Sequence, residues 1–380
     1  MSPTPIYLDH QASTPLDPRV AAVMERYVGC YGNPHTTSHS AGIDAGKAVN
    51  VARRQIARAI GGDARRVVFT SGATEANNLA IFGAARANCG RSKAVTVATE
   101  HGSVLEPALA LRDEGLKVEV VPVRRDGRVD LRLLESIVDE QTNIVSVMHI
   151  NNETGVVQPI AEIAEICHRA GAVLHSDCAQ SMGRMPVDVN VLGADLFTLS
   201  AHKCYGPKGI GALYVGGRPR IVLKPLSLGG GQESGLRPGT VPVPLCVAFG
   251  EACRISAEEV QVDADRMGRL GARLLGAILH VCPSARLNGS HRHRAPGALN
   301  VCFPGATGDE LICALEGVQV SSGSACASAV LEPSRVLLAH GLTNEEAESS
   351  LRICVGRFTT EEEISLAEEV IRQGLCKLGL

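Results

Sequence analysis

The segment Leu199-Ser200-Ala201-His202-Lys203-Cys204-Tyr205-Gly206-Pro207-Lys208-Gly209 sets a lysine just after an apolar run and just before a Gly-rich turn. An amine at the end of a buried strand can condense with a carbonyl group and afterwards move a proton; a lysine in a surface turn is the ordinary alternative. In His175-Ser176-Asp177-Cys178-Ala179-Gln180 a carboxylate again follows an apolar run. Asp177 could hold a ring nitrogen protonated and Gln180 could hydrogen-bond a ring oxygen, or Asp177 could simply cap a helix. Thr70-Ser71-Gly72-Ala73-Thr74-Glu75 reads as a strand, a small-residue turn and a helix start, an arrangement that turns unpaired N–H groups toward a phosphate. His101, in Thr99-Glu100-His101-Gly102-Ser103, could stack on a flat ring and share proton transfer. Asn152, in His149-Ile150-Asn151-Asn152-Glu153, could reach a ring oxygen; both could equally be satisfied within strand-end loops.

Two further residues lie near the C-terminus. The guanidinium of Arg352 is a natural bidentate partner for a carboxylate, unless it serves a structural ion pair. Cys326 sits in Ser321-Ser322-Gly323-Ser324-Ala325-Cys326-Ala327-Ser328, small residues typical of an exposed loop. Once ionised, a cysteine there can attack sulfur; otherwise it is an inert surface thiol.

The elements that must position these groups alternate. Short apolar strands are expected at 67–70, 94–97, 118–121, 144–147, 173–175 and 196–199, with helices at 74–87, 104–113, 131–139 and 160–170. That alternation predicts a mostly parallel sheet wrapped by helices, with ligands at the carboxyl ends of the strands. Beyond Pro242 the texture changes to a long helical stretch over 248–281, strands at 299–303 and 318–320, a helix at 309–315 and a closing helix with a capping-box start at Thr360. The reading is an α/β fold with a large domain over 16–250 and a smaller α+β domain formed by 1–15 and 251–380.

Composition sets the outer limits. At 380 residues the chain exceeds what one hydrophobic core usually spans. With no Trp and 3% aromatics, the core must be aliphatic. Thirteen cysteines, an odd number with no Cys-x-x-Cys pair, argue against a disulfide framework and a zinc site. Cys246 and Cys313 lie in apolar runs and read as small buried hydrophobes. A net charge of −3 argues against a dedicated nucleic-acid binder. The run Ser290-His291-Arg292-His293-Arg294 is a solvated surface loop or a small basic patch. No secretory signal and no membrane-length apolar run are visible, so a cytoplasmic location is expected.

Taken together in their order, these motifs resemble the NifS/IscS cysteine desulfurases, a branch of the class V aminotransferase-like enzymes. The resemblance runs from Tyr7-Leu8-Asp9-His10 through Gly32-Asn33-Pro34 to Gly356-Arg357-Phe358-Thr359-Thr360-Glu361. The block Ser322-Gly323-Ser324-Ala325-Cys326 resembles the group whose acceptor cysteine rides on a long mobile loop. The resemblance implies fold type I and pyridoxal 5'-phosphate (PLP) as cofactor. It implies Lys203 as the cofactor-bearing lysine, His101 as the stacking acid–base residue and Asp177 at the pyridine nitrogen. Asn152 and Gln180 would contact the ring oxygen, and Ala73, Thr74, Ser200 and His202 the phosphate. Thr240 would reach the phosphate of a neighbouring subunit, hence a homodimer. Arg352, with Asn33 nearby, would bind the carboxylate of L-cysteine, and Cys326 would accept the sulfur and pass it to an acceptor protein. Iron–sulfur assembly, tRNA thiolation and DNA phosphorothioation draw on such enzymes. A selenocysteine lyase or a catalytically silent sulfur-carrier scaffold would share the motifs. Ser234 and Pro238 stand where the family leads one to expect Arg and Ser, and Gly102-Ser103 are smaller than expected.

Overall fold

A computed structural model describes residues 5–216, 221–322 and 333–380. The chain opens with a short strand β1 (Ile6–Tyr7) and two helices, α1 (Pro18–Val28) and α2 (Ser40–Ala59). Asp17 caps α1 by accepting from the Arg19 N–H, with Pro18 in the first turn where its missing N–H costs nothing. Strands and helices then alternate: β2 (Val67–Thr70), α3 (Ala73–Ala87), β3 (Lys93–Val97), α4 (Gly102–Ala110), β4 (Lys117–Val121), α5 (Leu131–Ile137), β5 (Thr142–Ser146), α6 (Ile160–Arg169), β6 (Val173–Asp177), α7 (Val189–Leu192), β7 (Leu196–Ser200) and β8 (Gly211–Val215).

Strands β2 to β8 form one sheet in the order β2-β8-β7-β6-β5-β3-β4. Strands β3 to β7 pair in parallel, while β8 runs antiparallel to both β2 and β7. The connection from Ser200 to Gly211 is too short for the crossover a parallel pair requires, so the chain must reverse. Successive strand residues feed opposite faces. Val67, Phe69, Val95, Val97 and Val145 join a cluster with residues of α2, α6 and α8 (Val243–Val281). Val68, Ala94 and Ile144 join another with α3 and α4. Helices therefore cover both faces, which is why β2, β3, β5 and β7 are buried at every residue.

Helix α8 starts at Val243, earlier than the expected Ala248, because Pro244 is tolerated in a first helical turn. Its first part packs with α1 and α2, whereas Met267, Leu270, Leu274 and Ile278 belong to a second cluster. That cluster also takes in residues of β10 (Ala298–Cys302), α9 (Gly308–Ala314), β11 (Val318–Gln319), β13 (Ser350–Cys354) and α12 (Glu361–Lys377), with Leu287 of β9 (Arg286–Leu287) against it; β12 (Ser321–Ser322), α10 (Arg335–Ala339) and α11 (Asn344–Glu348) complete this part of the chain. An antiparallel sheet β12-β13-β10-β9 forms here, and β1 pairs with β11. Thr360 and Glu363 complete the capping box at the start of α12. No described helix is long and apolar enough to cross a membrane.

Two local expectations are corrected. Cys313 is exposed: on the short α9 the buried position is Leu311, and a residue two further on faces the other way. The run 290–294 is only partly a solvated loop. His291 and Arg292 are exposed, but Arg294 turns inward and donates to the carbonyls of Ser290, Thr154 and Asn288. A guanidinium carries five donors, and converging backbone carbonyls can satisfy several of them away from bulk water.

Candidate active site

A cavity of about 440 Å³ opens at the carboxyl ends of β6 and β7. Asp177 is the last residue of β6 and Ser200 the last of β7; Ala201–Lys203 form a tight turn directly after it. The start of α3 contributes Gly72, Ala73 and Thr74, and the N-cap of α4 contributes His101. Asn152, Gln180, His202, Lys203 and Arg352 complete the set of sequence-derived candidates that line it. Asn33 and Thr240 do not line it and are exposed; Asn33 accepts from the His35 N–H in a turn before α2. Cys326 lies outside the described residues.

Lys203 Nζ donates to the carbonyls of Gln11 (2.6 Å) and Ala12 (2.8 Å). The same N-terminal segment holds the lysine turn through Thr14, whose hydroxyl donates to the His202 carbonyl, and Ser13, 3.1 Å from His202 Nδ1. Asp177 Oδ1 accepts from the Ala179 N–H (2.9 Å) and Oδ2 from Asn77 Nδ2 (2.8 Å). The Asn77 amide also donates to Ser103 Oγ, which lies 2.8 Å from His101 Nδ1.

Arg352 is almost fully buried on β13 and donates through Nε (3.1 Å) and Nη2 (2.8 Å) to Asp9 Oδ1, and through Nη1 to the Asn152 carbonyl. Ser321, its register partner across β12 and β13, donates to the same Asp9 oxygen. Sequence reasoning missed Gln11, Asp9 and Asn77. The block Tyr7-Leu8-Asp9-His10 helps carry the family resemblance, but nothing local in it tells which cation Asp9 meets. Asn77 sits in a plain helical run.

Burial dominates the electrostatics. It lowers His101, with Lys203 and Arg335 adding to the effect and Asp177 opposing it. It takes His202 down to about 4, helped by Lys203 and Lys208, so this imidazole is neutral at pH 7. Glu100, fully buried near Asp177, is pushed up, and burial brings Glu153 to about 7 against its Ser334 hydrogen bond and nearby arginines.

Part of the unmet hydrogen-bonding capacity among the described residues faces the cavity. Ser200 Oγ, Gln180 Oε1 and Asn152 Oδ1 are buried without a partner among the described residues, and all three line this cavity. Such atoms are costly unless something else satisfies them. Helix α3 begins at Gly72 with no side-chain cap, so its first N–H groups are available to an anion. At Gly211 a Cβ would come within 2.8 Å of the Gly72 backbone, so only glycine lets β8 pass this close behind the anion cradle. A phosphate at α3 beside Ser200 and His202, a polar ring between His101 and Asp177, and a carbonyl within reach of Lys203 fit this donor set.

The aminotransferase class-V family matches residues 6–366. Human cysteine desulfurase is 46% identical over 376 residues, covering 98% of this chain and 82% of that one. Cysteine desulfurase IscS of Rickettsia bellii is 47% identical over 98% of this chain and 92% of its own. A solved NifS-like protein superposes with a TM-score of 0.91 at 33% identity, covering 98% of this chain and all of that one.

Proposed function

The chain belongs to the aminotransferase class-V family, and from that premise we propose that it is a PLP-dependent cysteine desulfurase with Cys326 as its sulfur acceptor. The observation that carries the reading is one cavity that joins Lys203, Asp177 and His101 to Arg352. The strand paired with Arg352, Ser321–Ser322, leads directly into the segment that contains Cys326.

PLP, when bound, supplies a protonated ring that withdraws electrons from the substrate α-carbon. Ala73, Thr74, Ser200 and His202 hold its phosphate, Asp177 holds its ring nitrogen protonated, and Asn152 and Gln180 meet its ring oxygen. Lys203 Nζ bears the cofactor and moves the proton at the substrate α-carbon, with His101 sharing that work. Arg352 binds the substrate carboxylate while Asp9 keeps its guanidinium aimed. Cys326, as thiolate, attacks the substrate sulfur: the carbon–sulfur bond of cysteine breaks, a sulfur–sulfur bond forms, and protons return to the three-carbon fragment. The products are L-alanine and a Cys326 persulfide, which balances the atoms of one cysteine and one thiol. The persulfide is then passed to an acceptor protein.

Thr240 is exposed and outside the cavity of its own chain. That supports a homodimer in which it completes the phosphate site of the other subunit. Asn33 is assigned to the substrate side of the assembled enzyme, and the cytoplasm as its location.

The test is a single turnover of L-cysteine in thiol-free anaerobic buffer. Release of alanine together with a gain of about 32 Da on the peptide containing Cys326 is the expected result. Bound PLP with neither product would defeat the reaction while leaving the cofactor assignment standing.

A further inference from the structure

Three side chains between Asp177 and His101 form a chain of hydrogen bonds with a defined direction. Asn77, fully buried on α3, places its Nδ2 2.8 Å from Asp177 Oδ2 and 2.8 Å from Ser103 Oγ. The reverse orientation of this amide would set its oxygen against a carboxylate, so Nδ2 must be the atom that faces both. Ser103 Oγ therefore accepts from Asn77, and its own hydrogen is left for His101 Nδ1, 2.8 Å away. The Ser103 backbone N–H, a donor that cannot change roles, also points at Nδ1, at 3.1 Å, because His101 is the N-cap of α4. A nitrogen that receives two hydrogens carries none of its own.

We infer that Asn77 and Ser103 are positioning residues that keep His101 in the tautomer protonated at Nε2, with Nδ1 as acceptor, and that tie the imidazole to Asp177 without letting the carboxylate take its proton. Asp177 is instead satisfied by the N–H groups of Asn77 and Ala179. The charged groups around the ring act in both directions. Asp177 at the end of β6 favours the imidazolium, while Lys203 after β7 and Arg335 on α10 disfavour it. Arg335 also approaches Glu106 on α4 and donates to the Glu100 carbonyl. Glu75, His202 and Lys208 share the cavity wall. Among these, only the Asn77–Ser103 bridge acts through the ring nitrogen itself, so it selects a tautomer where the others only shift a charge.

The catalytic consequence rests on the proposed acid–base role of His101: proton exchange is confined to Nε2. The tautomer does not depend on that reading. The experiment is nitrogen-15 NMR of histidine-labelled full-length protein without cofactor, with the His101 signal assigned by its loss in His101→Gln. The expected result is an unprotonated, hydrogen-bonded Nδ1 near neutral pH. Ser103→Ala removes one of the two donors, and the His101 titration should rise by about 0.5–1 pH unit, with Ser103→Thr restoring the wild-type value. Asn77→Ala should shift it in the same direction. In the holoenzyme the acid limb of cysteine turnover should follow the same order. A wild-type Nδ1–H tautomer, or an unchanged titration in both Ser103→Ala and Asn77→Ala, would overturn the inference. If the tautomer is as expected but no alanine forms from cysteine, the desulfurase reading fails and the positioning role stands.

Discussion

The cavity has two walls built on different principles. On one, Asp177, Ser200, His202 and Lys203 stand at or just past the ends of neighbouring parallel strands, so the register of β6 and β7 sets their spacing. On the other, Arg352 is aimed by Asp9, which the chain brings from its far end, and by Ser321 across a short antiparallel pair. The first wall draws its precision from a sheet buried on both faces. The second draws it from one carboxylate that serves three donors. Chemistry placed on the first should therefore be sensitive to the reacting groups and indifferent in stability, while the second should couple stability and substrate binding.

The largest expected effect tests the strand-end wall. Lys203→Ala should lower alanine release from cysteine about 10³-fold, on the scale of a lost positioned acid–base group, while the urea midpoint of the apoprotein stays close to wild type. A comparable loss of stability would show that this wall, too, depends on its side chains. On the other wall, Asp9→Ala leaves Arg352 buried without its carboxylate. Equilibrium unfolding should register a loss of about 3 kcal/mol, together with a raised KM for cysteine. A stable variant with unchanged KM would erase the contrast between the walls.

Glu153 provides a pH-resolved version of the same contrast. Burial holds its folded pKa at about 7, against 4.5 without burial. The folded state thus keeps a proton that the unfolded state releases, and stability is full below pH 4.5 and is lost as pH rises through 7. Glu153→Gln, which can still accept from Ser334, should match wild type in acid and exceed it by about 3 kcal/mol above neutrality. Equal stability of the two proteins at both ends of the range would remove Glu153 from the set of strained groups. The smallest effect belongs to Cys313→Ser, which should change stability by no more than about 0.5 kcal/mol because this thiol is exposed. Cys253→Ser, in the fully buried core, should cost clearly more.

Legibility followed the same division. Lys203 and Asp177 could be found because apolar runs announce strands and polar residues at their ends stand out. The helix starts at Ala73 and His101 carry equally local signals. Asn77 could not be found, since a polar residue in the middle of a helical run gives no hint of the carboxylate it will meet. Cys313 misled for a related reason: on a helix as short as α9, apolar neighbours in sequence do not define which side faces the core.

By itself the sequence determined the alternation of strands and helices, the strand-end residues and the family, because these depend on periodicity and on motifs a few residues long. Only the tertiary structure decided that Gln11 and Ala12 close over Lys203, that Asp9 restrains Arg352, and that Asn77 and Ser103 select one nitrogen of His101. The contacts from Gln11, Ala12 and Asp9 join residues 191 to 343 positions apart. The energies that fix all of these arrangements, buried hydrogen bonds and an ion pair shielded from water, come into being only when the chain has folded.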